Sequence, residues 1–343
     1  MTPDGFDLEW LAARLAAPAG SLRGMTSAKL GTGQMSDSFR LALDWKGRDG
    51  PATIVAKGPS HDEHSRAIAV ALGSYAREVH WYRALAGHSG VTRPHCYHAE
   101  IADDGLAFVL LLGDCAPAVQ ADQLAGAGAA QLRPAIVELA ALHAPFWNRD
   151  MAAAHPWLGN NSRGLIEAAL PGLAAGFAAR YAGRLAPEVL ALATELAANI
   201  GHYLDWPVSA TSVVHGDFRL DNLLFAPDGS VVVVDWQTVG MGCPFGDLAY
   251  LIGTSIADPG ERAAVEAGLF DDYVRAVAAF GVVVDRAAAW RDYRVHALAG
   301  VLMAIFASMN VERTERGDEM FAVMAERPAR QALALGSLGL IMG

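Results

Sequence analysis

Hydrophobic and polar positions change rhythm three times along this chain. Residues Ala28 to Leu43 place a glycine-containing loop between short apolar runs, and Thr53 to Lys57 is a second β-prone run closed by Gly58-Pro59. Both predict strands, because short apolar runs bounded by turn residues fit a pleated surface better than a helix. From Ser65 to Ala86 the residues Ile68, Leu72, Tyr75, Val79, Tyr82 and Leu85 recur every three or four positions. That spacing predicts one helix with a single buried stripe, and Glu78 flanks it. Leu106 to Leu112 is continuously apolar and stops at Gly113-Asp114, which predicts a buried strand. From about Ala121 to Asn199 the chain reads as Ala- and Leu-rich helix, broken near Pro145, Pro156 and the Gly159-Asn160-Asn161 turn. A single β interruption, Ser212 to Trp236, precedes a return to helix from Asp247 to the end. The pattern predicts an α+β chain in two parts: a β-rich lobe over 1–113, opened by a short N-terminal helix, and a larger, mostly helical lobe over 114–343.

Composition narrows the classes. At 343 residues, 53% of them apolar and 18% charged, the chain is long enough for two cooperating lobes and far from the composition of disordered chains. A formal charge of -11 argues against a nucleic-acid partner, whose phosphates are held by clustered Lys and Arg. Cys96, Cys115 and Cys243 form no CxxC pair, so neither a disulfide framework nor a zinc site is expected and a cytoplasmic setting fits. The first ten residues carry Asp4, Asp7 and Glu9 where an export signal would be basic. The apolar stretch Ala297 to Met309 is shorter than the roughly 20 residues that span a bilayer, so it reads as a buried helix and no membrane partner is expected.

The most informative stretch is VVHGDFRLDNLLFAPDGSVVVVDWQ, residues 213–237. Two strand-like runs, Leu223 to Phe225 and Val231 to Val234, flank the turn residues Pro227-Asp228-Gly229-Ser230. A turn centred between Asp228 and Gly229 sets Asn222 opposite Asp235, about 5 Å apart on an antiparallel ladder. One neutral and one anionic oxygen ligand, with positions left for water and phosphate, suit magnesium. Asp217, five residues before Asn222, lies where a carboxylate can accept the proton of an attacking hydroxyl.

Upstream, Lys57 ends the run Ile54-Val55-Ala56 in a chain that has only Lys29, Lys46 and Lys57 among 26 basic residues. A lysine kept on a strand fits a compact ammonium that must reach nucleotide phosphates. Glu78 can pair with it from the following helix. Gly31-Thr32-Gly33, with Ser36 beyond, lies where backbone amides can approach phosphate oxygens.

His215-Gly216-Asp217 through Asn222, followed by an apolar strand and Asp235, resembles the aminoglycoside phosphotransferase and choline kinase group over about residues 30–251. Asp-Trp-Gln at 235–237 is more similar to its choline-kinase-like and ecdysteroid-kinase-like branch. The resemblance implies a bilobal protein-kinase-like fold, ATP and Mg2+ as cofactors, and transfer of phosphate to a small hydroxylated molecule. By that resemblance Asp217 is the catalytic base and Asn222 and Asp235 hold magnesium. Lys57, Glu78, Gly31, Gly33 and Ser36 serve the nucleotide, and Asp247 is structural, bracing the catalytic loop, a reading compatible with a helix N-cap. The rival from another class is a catalytically silent nucleotide-binding or regulatory protein on the same fold. The acceptor pocket carries no decisive motif. Asp258, Glu261, Asp271 and Asp272 could line one or could be solvated helix faces, so an apolar or mixed hydroxylated metabolite is slightly favoured.

Overall fold

The computed structural model describes residues 6–31, 35–47, 50–159, 163–311 and 313–343. Gly33, and Asn160 and Asn161 of the predicted turn, lie outside the described residues.

Continuous apolarity in the predicted strand near residue 110 has a direct structural cause. Along β5 (Phe108–Gly113), Val109 and Leu111 enter one cluster while Phe108, Leu110 and Leu112 enter another, so both faces of the strand are buried. It sits in an antiparallel five-stranded sheet of order β1-β2-β3-β5-β4, with β1 Leu22–Leu30, β2 Ser36–Trp45, β3 Thr53–Pro59 and β4 Cys96–Ile101. One face is covered by α1 (Leu8–Arg14), whose Leu11, Ala12 and neighbouring Leu15 pack on Leu22, Leu41, Ile54 and Ala56. Asp7 caps that helix by accepting from the amide of Glu9 at 2.6 Å and of Trp10 at 3.2 Å. The other face carries α2 (Glu63–Ala71) and α3 (Ser74–His80).

The single helix expected over 65–86 is therefore two. Gly73, at φ 68°, breaks it between α2 and α3, a left-handed conformation that only glycine adopts at little cost. Tyr75, Val79 and Leu85 are buried as predicted, but Leu72 lies at the break and is 46% exposed. After α3 the chain widens into a π turn over Trp81–Leu85, and Trp81 is fully buried.

The remaining elements are β6 (Val119–Gln120), α4 (Ala129–His143), α5 (Met151–Ala154), α6 (Arg163–Arg180), α7 (Pro187–Ala198), α8 (Ile200–Leu204), β7 (Ser212–Val214), β8 (Leu223–Phe225), β9 (Val231–Val233), β10 (Gly240–Gly242), α9 (Pro244–Ser255), α10 (Pro259–Ala279), α11 (Arg286–His296), α12 (Leu298–Asn310), α13 (Glu315–Leu335) and α14 (Ser337–Met342). The apolar stretch near 300 is indeed a core helix: α12 packs on α6 and α13 and buries Leu298, Val301, Ala304 and Ile305. Among the described residues no helix is long and apolar enough to cross a membrane. One group of buried polar side chains in this helical region meets around a single carboxylate. Glu266 accepts from Arg262 at 2.7 Å, Tyr293 at 2.8 Å and Gln331 at 2.7 Å, all four side chains being buried.

By packing, the chain divides into two compact units. Residues 1–87, 93–117 and 234–237 form the first, and 88–92, 118–233 and 238–343 the second. The short segment holding Asp235 thus belongs with the five-stranded sheet, far upstream in sequence.

Candidate active site

Strand alternation aims Lys57. On β3, Ile54 and Ala56 face the α1 cluster and Val55 faces the α2–α3 cluster, which puts Lys57 on the face of Val55, under α3. There its Nζ meets both carboxylate oxygens of Glu78, at 2.9 and 2.7 Å, and Oδ1 of Asp235 at 2.9 Å. Burial alone would depress the Lys57 ammonium, yet the charges of Asp235 and Glu78 outweigh it and hold the pKa above the ordinary lysine value. Burial lifts Glu78 above the usual carboxylate range, against the pull of Lys57. Glu78 also accepts the amide of Trp236 at 3.3 Å, and the Trp236 ring stacks on Trp81 with centroids 4.2 Å apart.

Asp235 holds its place at φ 64°, where a residue with a Cβ loses roughly 1–2 kcal/mol. Its bond to Lys57 offsets that cost. Gly31 and Ser36 flank the β1–β2 hairpin, Gly31 at φ 63° and Ser36 buried. Nearby, Tyr75 donates to the carbonyl of Met35 at 2.7 Å and ties this hairpin to α3.

The loop between β7 and β8 is built around Asp247. This carboxylate, in the first turn of α9, accepts the amides of His215 at 2.6 Å and Gly216 at 3.0 Å. The N-cap of α9 is Cys243, and Asp247 braces the loop from within the first turn, because two loop amides take both of its oxygens. His143, fully buried at the end of α4, approaches the same carboxylate at 3.3 Å and Tyr273 at 2.8 Å. Gly216 sits at φ 80°, and a Cβ there would lie 2.7 Å from the carbonyl oxygen of Thr238, so this turn admits only glycine. The His215 ring is fully buried, and its Nδ1 accepts the amide of Asp217 at 3.3 Å, as a structural loop residue.

Beyond Gly216 the loop is extended at Arg219, with Phe218 and Leu220 fully buried, so Asp217 and Arg219 share the opposite side. Asn222 Nδ2 donates to the carbonyl of Asp217 at 2.8 Å and to its Oδ2 at 2.9 Å. Both partners are acceptors, which fixes the amide orientation and leaves Oδ1 as the side not spent on Asp217. Arg219 Nε lies 3.1 Å from Oδ1 and 3.3 Å from Oδ2 of Asp217, and its Nη1 pairs with Asp221. Burial would lower the Arg219 pKa, but Asp217, Tyr250 and Asp221 raise it. The Tyr250 phenol, pushed well above its usual range by burial and then by Asp217, stays neutral beside them.

The β8–β9 hairpin differs from its predicted register. Leu223 pairs Val233 and Phe225 pairs Val231, so Asn222 is not set opposite Asp235. The loop holds three residues, Pro227-Asp228-Gly229. The Gly229 amide donates to Ala226 at 3.0 Å, Ala226 donates to Ser230 at 2.9 Å, and Gly229 has φ 87°. Proline favours the second position of a type I turn, and the following glycine closes it as a bulge.

The predicted residues thus gather into two groups. Lys57, Glu78 and Asp235 meet in the first unit, where Gly31 and Ser36 also lie, and Asp217 and Asn222 meet in the second. Arg219, Tyr250 and His143 were not singled out from the sequence. Arg219 was within reach, since the alternation Asp-Phe-Arg-Leu places it beside Asp217. Three of the four carboxylates considered for an acceptor pocket are occupied locally: Asp258 caps α10, Asp271 pairs with Arg286, and Asp272 pairs with Arg133 and Arg275.

Several solved structures share the fold along most of their length. A Ralstonia eutropha JMP134 protein assigned as an aminoglycoside phosphotransferase is 20% identical, with 95% of this chain and 96% of that one covered and a TM-score of 0.55. For macrolide 2′-phosphotransferase MphH of Brachybacterium faecium the values are 19%, 92%, 96% and 0.53, and for the ethanolamine kinase of Plasmodium vivax 9%, 91%, 81% and 0.52. Among curated proteins, mouse acyl-CoA dehydrogenase family member 10 is 55% identical over 42 residues, which are 12% of this chain and only 4% of that protein. These likenesses establish a bilobal protein-kinase-like fold, β-rich in its N-terminal lobe and mostly helical in its larger C-terminal lobe. Residues 62–280, which include Glu78, Asp217, Asn222 and Asp235, match the description of one family throughout, and the chain belongs to that phosphotransferase enzyme family.

Proposed function

We propose that this protein transfers the terminal phosphoryl group of ATP, as its magnesium complex, to a hydroxyl group of a small molecule. The observation that carries the reading is the Asp217–Asn222 pairing on a loop whose amides are clamped by Asp247. It presents a carboxylate in fixed orientation, as a residue that aligns an attacking hydroxyl and takes its proton requires. The donor set also fits magnesium. Asn222 has spent its nitrogen and offers an amide oxygen, Asp235 offers a carboxylate, and both are hard oxygen ligands of the kind that leave room for phosphate and water. Bound there, magnesium would neutralise charge on the phosphates.

The residues themselves do the rest. Lys57, fixed by Glu78, is the cation assigned to the phosphates. Gly31 and Ser36, with Gly33 between them in sequence, flank the loop assigned to cover them. Asp217 receives the proton as the acceptor oxygen bonds to phosphorus and ADP departs with the electrons of the broken bond. Since Asp258, Asp271 and Asp272 are engaged in a cap and ion pairs, the reading favours an apolar or mixed hydroxylated acceptor over an aminoglycoside.

The test is ADP release from Mg·ATP across alcohols, amino alcohols, sterols and aminoglycosides, with Asp217→Ala alongside. The wild type should turn over with at least one acceptor, while the variant binds nucleotide and does not. Nucleotide binding without turnover on any acceptor would favour the silent-protein reading instead.

A further inference from the structure

Arg219 is gripped in an unusual way. Its Nε is committed to both oxygens of Asp217 and its Nη1 to Asp221, while Nη2 donates to no group among the described residues. The side chain is 14% exposed, so this is an anchored guanidinium and not a surface arginine sampling rotamers. Two carboxylates fix its plane, and one edge with two N–H donors remains. Such an edge matches the oxygens of a phosphoryl group, which guanidinium binds through charge-assisted hydrogen bonds.

Position supplies the second half of the argument. An acceptor oxygen hydrogen-bonded to Asp217 lies about 3 Å from that carboxylate, and the phosphorus it attacks lies roughly 3–3.5 Å further on. Arg219 Nε is 3.1 Å from the same carboxylate. A guanidinium held this close to the carboxylate is within reach of the equatorial phosphoryl oxygens when its free edge faces the acceptor side.

We propose that Arg219 contacts the phosphoryl group in transfer through Nη2 while its Nε orients Asp217. The inference rests on the reading of Asp217 as the base. In the transfer the acceptor oxygen forms its bond to the terminal phosphorus, and the bond from that phosphorus to the bridging oxygen breaks. ADP leaves with the electron pair, and the acceptor proton passes to Asp217. Arg219 stays protonated and holds the phosphoryl oxygens as their charge redistributes. A plain structural brace would instead support Asp217 without distinguishing one nucleotide from another.

The experiment needs no acceptor. Titration calorimetry on the full chain compares Mg·ADP with Mg·AMP-PNP, which adds the terminal phosphoryl group, for wild type, Arg219→Met and Arg219→Lys. Arg219→Met should weaken AMP-PNP about tenfold and ADP less than twofold, and should slow ADP release from Mg·ATP in water about 100-fold. Arg219→Lys should fall between, and it decides by the same ratio if the methionine variant does not fold. Equal losses for the two nucleotides, or none, would overturn the contact. If Asp217→Asn abolishes hydrolysis while Arg219→Met hydrolyses like wild type, this inference fails alone. Wild-type hydrolysis by Asp217→Asn overturns the base reading and, with it, this inference. A wild type that binds neither nucleotide overturns both.

Discussion

Two cations in this protein are each held between two carboxylates, and the difference between them is instructive. Lys57 is enclosed with one of its partners: its own side chain is 8% exposed and that of Glu78 only 1%, while Asp235 keeps 41%. Arg219 has no such fully buried partner, since Asp217 and Asp221 keep 21% and 24% of their side-chain surface. An ammonium is a point charge that accepts partners from any side, so the first cluster fixes the presence of a charge. A guanidinium is a plane with directed donors, so the second fixes an orientation as well. Stability should depend more on the first cluster and chemistry more on the second.

The largest expected effect lies in the second cluster. Asp217→Asn should lower turnover by about 10³-fold, at the middle of the range for a lost proton acceptor, with the melting temperature little changed. A comparable fall in both would mean that the loop, and not the chemistry, had been damaged. Next comes Lys57→Met, which strands the buried Glu78 carboxylate and should cost about 3–4 kcal/mol in urea unfolding. Replacing Glu78 by Gln in the same molecule should recover part of it. Gly216→Ala should follow at about 2 kcal/mol, because its Cβ would meet the Thr238 carbonyl at a left-handed backbone position. Arg219→Met should cost only about 1 kcal/mol of stability, since both of its carboxylates can take up water. Equal losses from Lys57→Met and Arg219→Met would erase the contrast between the two clusters.

The smallest effect calibrates the others. Arg40 pairs with Asp114 at 2.6 Å from a half-exposed position. Burial would raise the Asp114 pKa, but the bonds from Arg40 and Thr53 bring it below the ordinary 3.8. A depressed carboxylate contributes stability that is present above the unfolded value and lost as pH falls through the folded one. The gap between wild type and Arg40→Met should thus be about 0.5 kcal/mol near neutrality and close below about pH 4.

Much of this was legible in the sequence because it is local. The strands β3 and β5 announced themselves by apolar runs, although β5 begins at Phe108 and not at Leu106, and the lysine of one and a glutamate of the helical stretch after it did meet. What failed were choices between close alternatives. A lone glycine inside a helical pattern is usually tolerated, and at Gly73 it was a break. Pro-Asp-Gly serves a two-residue or a three-residue loop, and that single residue moved Asn222 off the partner expected for it. The His143–Asp247 contact spans 104 positions, and no local pattern announces such a meeting.

The route of the chain through Val234–Gln237 has a consequence for how this protein can be divided. These four residues leave the second unit, complete the first, and return. A fragment ending at residue 117 would lack the indole that stacks on Trp81 and the amide that Glu78 accepts, and it would keep Lys57 with only one of its two anions. The sheet unit is therefore finished only after the ribosome has made most of the other unit, and no single cut yields two self-sufficient pieces.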